Sequence, residues 1–236
     1  MMARERDLER LYELLAALKS TVRGYRFLKG CNGGMGWPSR GVYFFFEPGE
    51  TRQDRDGLRV VRVGTHAVSA GSRTTLWKRL AQHKGHSRGR HPGGGNHRGS
   101  IFRHHVGTAF LNTGAYPEEV KGLWASARDP SVVDREYLVE RDVSAHIGAM
   151  PFLWVEVPGE AGVTSDRKLI EAGAVALLSD FEKAPIDPPS PGWLGHMAAH
   201  RLVRESGLWN VDHVGEQYDP SFLIRLENHI LRMGSK

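Results

Sequence analysis

The chain has almost no cysteine. Cys31 stands alone among 236 residues, which excludes an intramolecular disulfide and any zinc site built on several thiolates. It also lacks a long apolar run. No stretch approaches the roughly eighteen apolar residues that a membrane span needs. The N-terminus carries charge without an apolar segment, so no secretory leader is expected and a cytoplasmic protein is the default. Acid is missing from one region. From Arg73 to His105 there is neither Asp nor Glu, while Arg73, Lys78, Arg79, Lys84, Arg88, Arg90, Arg98 and Arg103 all fall there. A one-signed stretch repels itself and attracts polyanions, of which nucleic acid is the commonest; a solvated basic loop would carry the same charge. The remaining composition is ordinary for a globular chain, with 40% hydrophobic residues, 25% charged residues and a net charge of +5. The length suits one domain with a real core, or two small ones.

Periodicity then supplies the elements. Leu8, Leu11, Tyr12, Leu15 and Leu18 recur at helical spacing, predicting a helix over 4–19. Residues 29–40 are glycine-rich and read as a loop. They lack the Lys-Ser/Thr ending of a phosphate cradle, and a strand follows them. Aromatic and β-branched residues predict strands over 42–46, stopped by Pro48-Gly49, and over 59–64, joined as an antiparallel hairpin with a long loop. A third strand is predicted over 152–157 and helices over 74–84, 101–112, 117–127, 131–150, 165–182, 196–206 and 221–233, with Ser165 a plausible N-cap. Residues 85–100 are basic, glycine-rich and low in complexity, and read as a mobile loop that cannot pack a core. His83, His86, His91, His97, His104 and His105 cluster around it. With no thiolate partners, phosphate contact is favoured over zinc.

Two helices carry polar residues where apolar ones belong. At about 100° per residue, Leu76, Arg79, Leu80 and His83 fall within roughly one third of the circumference. Arg79 and His83 therefore share the apolar face. A buried Arg needs a partner or a cleft; an Arg snorkelling from the core edge is the plainer alternative. Glu171 lies beside the Ile170, Ala174, Leu177, Leu178 and Phe181 stripe. It requires a cation, a metal or an Arg unless it reaches water at the margin. Phosphodiester cleavage needs this inventory: a base for the attacking water, a cation on the phosphoryl oxygens and a carboxylate for a divalent metal.

Gly41-Val42-Tyr43, then Arg62-Val63-Gly64-Thr65, then Leu76-x-x-Arg79-Leu80-x-x-His83, then Leu169-Ile170-Glu171 resemble the GIY-YIG endonuclease superfamily over roughly residues 41–182. The resemblance implies an α+β fold: a small three-stranded antiparallel sheet flanked by helices, here with a helical insertion and a C-terminal helical extension. It implies DNA hydrolysis with one divalent metal, Mg2+ (or Mn2+). It makes Tyr43 a candidate base or water-positioning group, Arg79 the phosphate clamp, His83 a proton-transfer partner and Glu171 the metal ligand. Arg62 stands where the second motif usually has a tyrosine. It can hold phosphate, but a guanidinium cannot serve as a base at neutral pH. His66 is a sequence-near substitute. Asn210 is a candidate for the asparagine that often follows the metal Glu.

The expected organisation is an N-terminal helix and glycine-rich loop over 1–40, a nuclease core over 41–182 with a basic insertion at 85–150, and a packed extension over 183–236. Arg73, Lys78, Lys84, Arg88, Arg90, Arg98 and Arg103 are candidate DNA contacts. A free-standing module with internal additions is more similar to the restriction-enzyme branch than to homing or repair relatives. The expected function is thus a sequence-specific, type II restriction-like endonuclease on double-stranded DNA, acting as a homodimer. A non-catalytic nucleic-acid-binding protein of the same fold, a non-specific or repair nuclease, and a chance match in a basic α/β protein are the alternatives.

Overall fold

The computed structural model describes residues 3–53, 55–86, 88–124 and 129–235. Helix α1 (Ala3–Thr21) leads into a two-residue strand β1 (Arg26–Phe27) and the glycine-rich loop. Strands β2 (Gly41–Thr51) and β3 (Leu58–Gly64) form the antiparallel hairpin. Helices α2 (Leu76–Lys84), α3 (Ile101–Asn112), α4 (Glu118–Leu123) and α5 (Pro130–Ala149) precede strand β4 (Pro151–Glu156). Helices α6 (Asp166–Leu178), α7 (Arg201–Ser206) and α8 (Ser221–Gly234) follow. The sheet is antiparallel, in the order β1-β4-β2-β3. It has four strands where three were expected, because a two-residue strand has too few side chains to show alternation.

Each face of the sheet has its own core. Val42, Phe44, Phe46, Val60 and Val63 pack with leucines of α1, with Ile170 and Ala174 of α6 and with Phe222 and Leu226 of α8. Tyr43, Phe45 and Val61 pack on the other side with Leu76 and Leu80 of α2, Phe102 and Val106 of α3 and Val139 and Val143 of α5. A register shift opposite Phe45 and Phe46 skips Val61, so Val61 and Arg62 share this second side while Val60 and Val63 face the first. Simple alternation predicted Val61 and Val63 on one face; the bulge separates them.

Several expectations are corrected. Pro48-Gly49 does not stop β2, which runs to Thr51. Glu50 accepts from Arg59 across the hairpin at 2.9 Å, and the turn is closed later by the Arg52 amide donating to the Gly57 carbonyl. Helix α6 ends at Leu178, not Glu182; the Asp180 amide donates instead to Ser206. Ser165 does not cap α6 through its side chain, which donates to the Gly162 carbonyl. Residues 196–206 split into a 3-10 turn, Leu194–Met197, and the short α7. The predicted 117–127 helix is α4 over 118–123, and its last three positions lie outside the described residues.

The described residues of the 85–100 stretch are tied into the fold. The His86 amide donates to the Gly94 carbonyl, the Gly93 amide donates to the His86 carbonyl, and a 3-10 turn spans His97–Gly99. Its anchor is Glu140 of α5. This carboxylate accepts from the His97 amide at 2.6 Å, contacts His97 Nδ1 at 2.9 Å and accepts from Arg103 Nε at 3.1 Å. Burial alone would raise the Glu140 pKa, but the His97 hydrogen bonds and the Arg103 charge outweigh it and hold it at about 2.

Candidate active site

The site lies where β2 and β3 run together near their motif ends. Tyr43 pairs with Gly64 across the hairpin. A Cβ on Gly64 would sit 2.3 Å from the Tyr43 hydroxyl oxygen, so only glycine lets the tyrosine lie across this strand. Gly41 is constrained likewise: a Cβ there would come within 2.4 Å of the Val155 carbonyl oxygen of β4. The two motif glycines are thus close-approach residues.

Helix α2, capped by the Thr75 side chain on the Lys78 amide, delivers His83 to the tyrosine. The Tyr43 hydroxyl and His83 Nε2 share a hydrogen bond of 2.8 Å, and His83 Nδ1 lies 2.8 Å from Ser100 Oγ. Ser100 Oγ also accepts the Arg103 amide as the N-cap of α3. Burial pushes the His83 pKa well below its ordinary value, and the charges of Arg79, Arg62 and Arg103 add to that. The imidazole is therefore neutral. Arg62 is buried, with its guanidinium 4.7 Å from the Phe102 ring centre and donating to the Trp209 carbonyl. It lies within electrostatic reach of Tyr43, Arg79 and Glu171. The Nε–H groups of Arg62 and Arg79 are both buried without a hydrogen-bond partner. Two unsatisfied cationic donors within electrostatic reach of His83 favour an anionic guest.

Glu171 arrives from α6, in the opposite layer, and meets the end of β3. One carboxylate oxygen accepts from the Thr65 amide at 3.2 Å, and the other lies 3.5 Å from Lys168 Nζ. Among the described residues no group of three or more His, Cys, Asp and Glu gathers as a metal site. A single, mostly buried carboxylate is the oxygen ligand that hard cations take, and it lacks the nitrogen and sulfur partners of a zinc site.

Tyr43 and His83 are thus in direct contact, Arg62 and Arg79 lie within electrostatic reach of His83, and Glu171 lies within electrostatic reach of Arg62. The candidate DNA contacts divide. Arg73, Lys78 and Arg88 are exposed, and Arg90 is exposed and paired with Asp134 at 2.6 Å. Lys84 donates to the Cys31 carbonyl, and Arg98 forms two hydrogen bonds of 2.8 Å with Glu136. Arg103 is 0% exposed and engages Glu140, Ser144 and the His83 carbonyl. It is a buried strut and does not face a phosphate. The acid that pairs with it is 37 residues away in sequence, so the acid-free run gave no sign of it.

His66 contacts the Ser39 carbonyl at 3.2 Å, and burial lowers its pKa to about 4. Asn210 does fold back, but onto β3: it accepts from the Val63 amide at 3.1 Å and donates to the Val63 carbonyl at 2.9 Å. His105 of α3, buried beside Arg62 with an unpartnered Nε2 and a pKa lowered to about 3 chiefly by burial, was missed as a neighbour of the site. Its only sequence signal was membership of the histidine-rich segment. Ser100 gave a clearer one, as a hydroxyl directly before the apolar run of α3.

No curated protein and no solved structure matches the chain. A family model does, the GIY-YIG domain, over residues 2–236. With its two motif glycines wedged against Tyr43 and Val155 and its whole described length inside that match, the chain belongs to the GIY-YIG family of nucleases.

Proposed function

We propose that this protein is a divalent-metal-dependent DNA endonuclease, sequence-specific in the manner of type II restriction enzymes and acting on double-stranded DNA as a symmetric dimer. The reading rests on the Tyr43–His83 hydrogen bond, whose imidazole feels the charges of Arg79 and Arg62. With Nδ1–H donated to Ser100 Oγ, the lone pair of His83 Nε2 faces the tyrosine hydroxyl. The phenol proton passes to Nε2 as the phenol oxygen takes a proton from the attacking water. The resulting hydroxide adds to phosphorus, and the bond to the leaving oxygen breaks. The imidazolium so formed is opposed by the nearby arginines until a phosphate neutralises them. Basicity therefore rises when substrate is present. Arg79, at the half-buried rim, holds the phosphoryl oxygens as charge builds. Arg62 contributes charge and cannot act as the base. Glu171 would hold an Mg2+ or Mn2+ ion, which would supply positive charge near the leaving oxygen, and that oxygen takes its proton from solvent.

The restriction-like assignment rests on architecture. The additions lie inside the chain and pack on the nuclease fold; in this reading they contact base edges while exposed basic residues meet phosphates. One site per chain must act twice to sever a duplex, which favours a symmetric dimer. Wild type and Glu171→Ala incubated with Mg2+ and several diverse DNAs test the proposal. Discrete fragments from wild type alone are expected; a smear indicates a non-specific or repair nuclease.

A second reading is a non-catalytic nucleic-acid-binding protein. It is favoured by the full enclosure of Tyr43 and His83 and by Arg62 in the usual tyrosine position. It requires salt-dependent DNA binding without cutting. Metal-dependent fragments lost in Glu171→Ala refute it.

A further inference from the structure

Beside the metal carboxylate stands a chain of groups that the cleavage chemistry does not use. Lys168 lies one helical turn before Glu171 on α6, with its ammonium 3.5 Å from Glu171 Oε2. The same ammonium is in hydrogen-bond contact with His213 Nε2. An ammonium has donors only, so Nε2 accepts, and the proton sits on Nδ1. That nitrogen lies 2.8 Å from Glu216 Oε1 and donates to it. His213 occupies the left-handed region, with φ 66°, although it is not glycine. Such a conformation persists only where the surroundings over-determine it, and it is common where a side chain must be aimed. Here it aims His213 at Lys168. Each of the three side chains is mostly buried, at 26% exposure for Lys168, 17% for Glu171 and 15% for His213.

We propose that Lys168 is a placeholder for the divalent cation: it occupies the Glu171 carboxylate in the metal-free protein and is retained by His213 when the ion displaces it. The proposal rests on the reading of Glu171 as the metal ligand. An ammonium beside Oε2 and a divalent ion bound to that oxygen repel each other, so the two compete for one carboxylate. The lysine therefore lowers the intrinsic affinity for the ion and keeps the carboxylate neutralised in its absence. His213, oriented by Glu216, gives the displaced ammonium a partner that carries no positive charge. The lysine then stays beside the site and does not pass to bulk water. Its positive charge remains available to a phosphate brought in with the metal. Phosphate arrival thus favours the displaced state, coupling metal loading to DNA binding.

The test is a Mn2+ titration of the full chain without DNA, read by the loss of the free-ion paramagnetic resonance signal. Lys168→Met is expected to bind Mn2+ about tenfold more tightly than wild type, the size of a modest ion-pair competition. Lys168→Arg, which keeps the charge, stays near wild type. His213→Ala, which leaves Lys168 no partner but Glu171, binds more weakly. Thermal melts confirm that each variant is folded, with Lys168→Gln replacing Lys168→Met if the latter is not. Lys168→Met at or below wild-type affinity overturns the proposal. If Glu171→Gln abolishes binding in that case, Glu171 stands as the ligand and the placeholder alone fails. If Glu171→Gln leaves binding unchanged, the metal reading and the placeholder fall together.

Discussion

The Tyr43 hydroxyl depends on a glycine one strand away. Gly64→Ala forces a methyl group to 2.3 Å from that oxygen. The variant is predicted to lose about 1–3 kcal/mol by overpacking, read as a lower melting temperature, and to break the contact with His83. Burial has a second consequence. His66, His83 and His105 are held neutral, with pKa values of about 4 for His66 and about 3 for His105 and a depressed value for His83. A histidine with a depressed folded pKa stabilises the fold fully above its unfolded value of about 6.5 and loses that contribution as pH falls toward the folded value. Glu140, also depressed, acts in the same direction below its ordinary range. Melting temperature is therefore expected to fall steadily from about pH 6.5 to about pH 3. His105→Gln should flatten the upper part of that slope, by up to about 1.4 kcal/mol per pH unit at full effect. Arg103→Met removes the guanidinium from the buried Glu140 and leaves it only its His97 contacts. It should cost about 3–5 kcal/mol of stability in a denaturant melt. A DNA-contact role would instead weaken binding and leave the melt unchanged.

At the scale of elements, the edge of β3 is closed by a segment that is no strand. The Trp209 amide donates to the Val61 carbonyl, and the Asn210 amide group satisfies both backbone groups of Val63. Side-chain amide thus stands in for a neighbouring strand. Glu47 holds the segment down by accepting the indole N–H of both Trp193 and Trp209 at 3.0 Å. Asn210→Ala strands two buried backbone groups and should cost about 2 kcal/mol, measured as a shift in denaturant midpoint. These long-range clamps explain what was legible in the sequence. Helix α1 and the body of α6 announce themselves because an amphipathic stripe is a local pattern. Arg79 and His83 stand out for the same reason, as breaks in a stripe. Glu47, Glu140 and Asn210 take their meaning from partners far along the chain, which no local period encodes. The bulge at Val61 escaped alternation because a bulge is a departure from alternation.

In the whole molecule, the sheet separates two helical layers, and the proposed site draws on both. Tyr43, Arg79 and His83 belong to one side, while Glu171 reaches the end of β3 from the other. The relative seating of the layers therefore sets the spacing between proton-transfer groups and carboxylate. The N-terminal helix and the tail are structural to that seating: α1 and α8 share one core with α6. The most direct test of the central claim is single-turnover cleavage of plasmid DNA in Mg2+ by wild type and by Tyr43→Phe, which removes one oxygen from a packed ring. Wild type is expected to cut, and the variant at a rate lower by at least about 100-fold, the usual reach of general base catalysis. Cutting by Tyr43→Phe within a few-fold of wild type would contradict the claim.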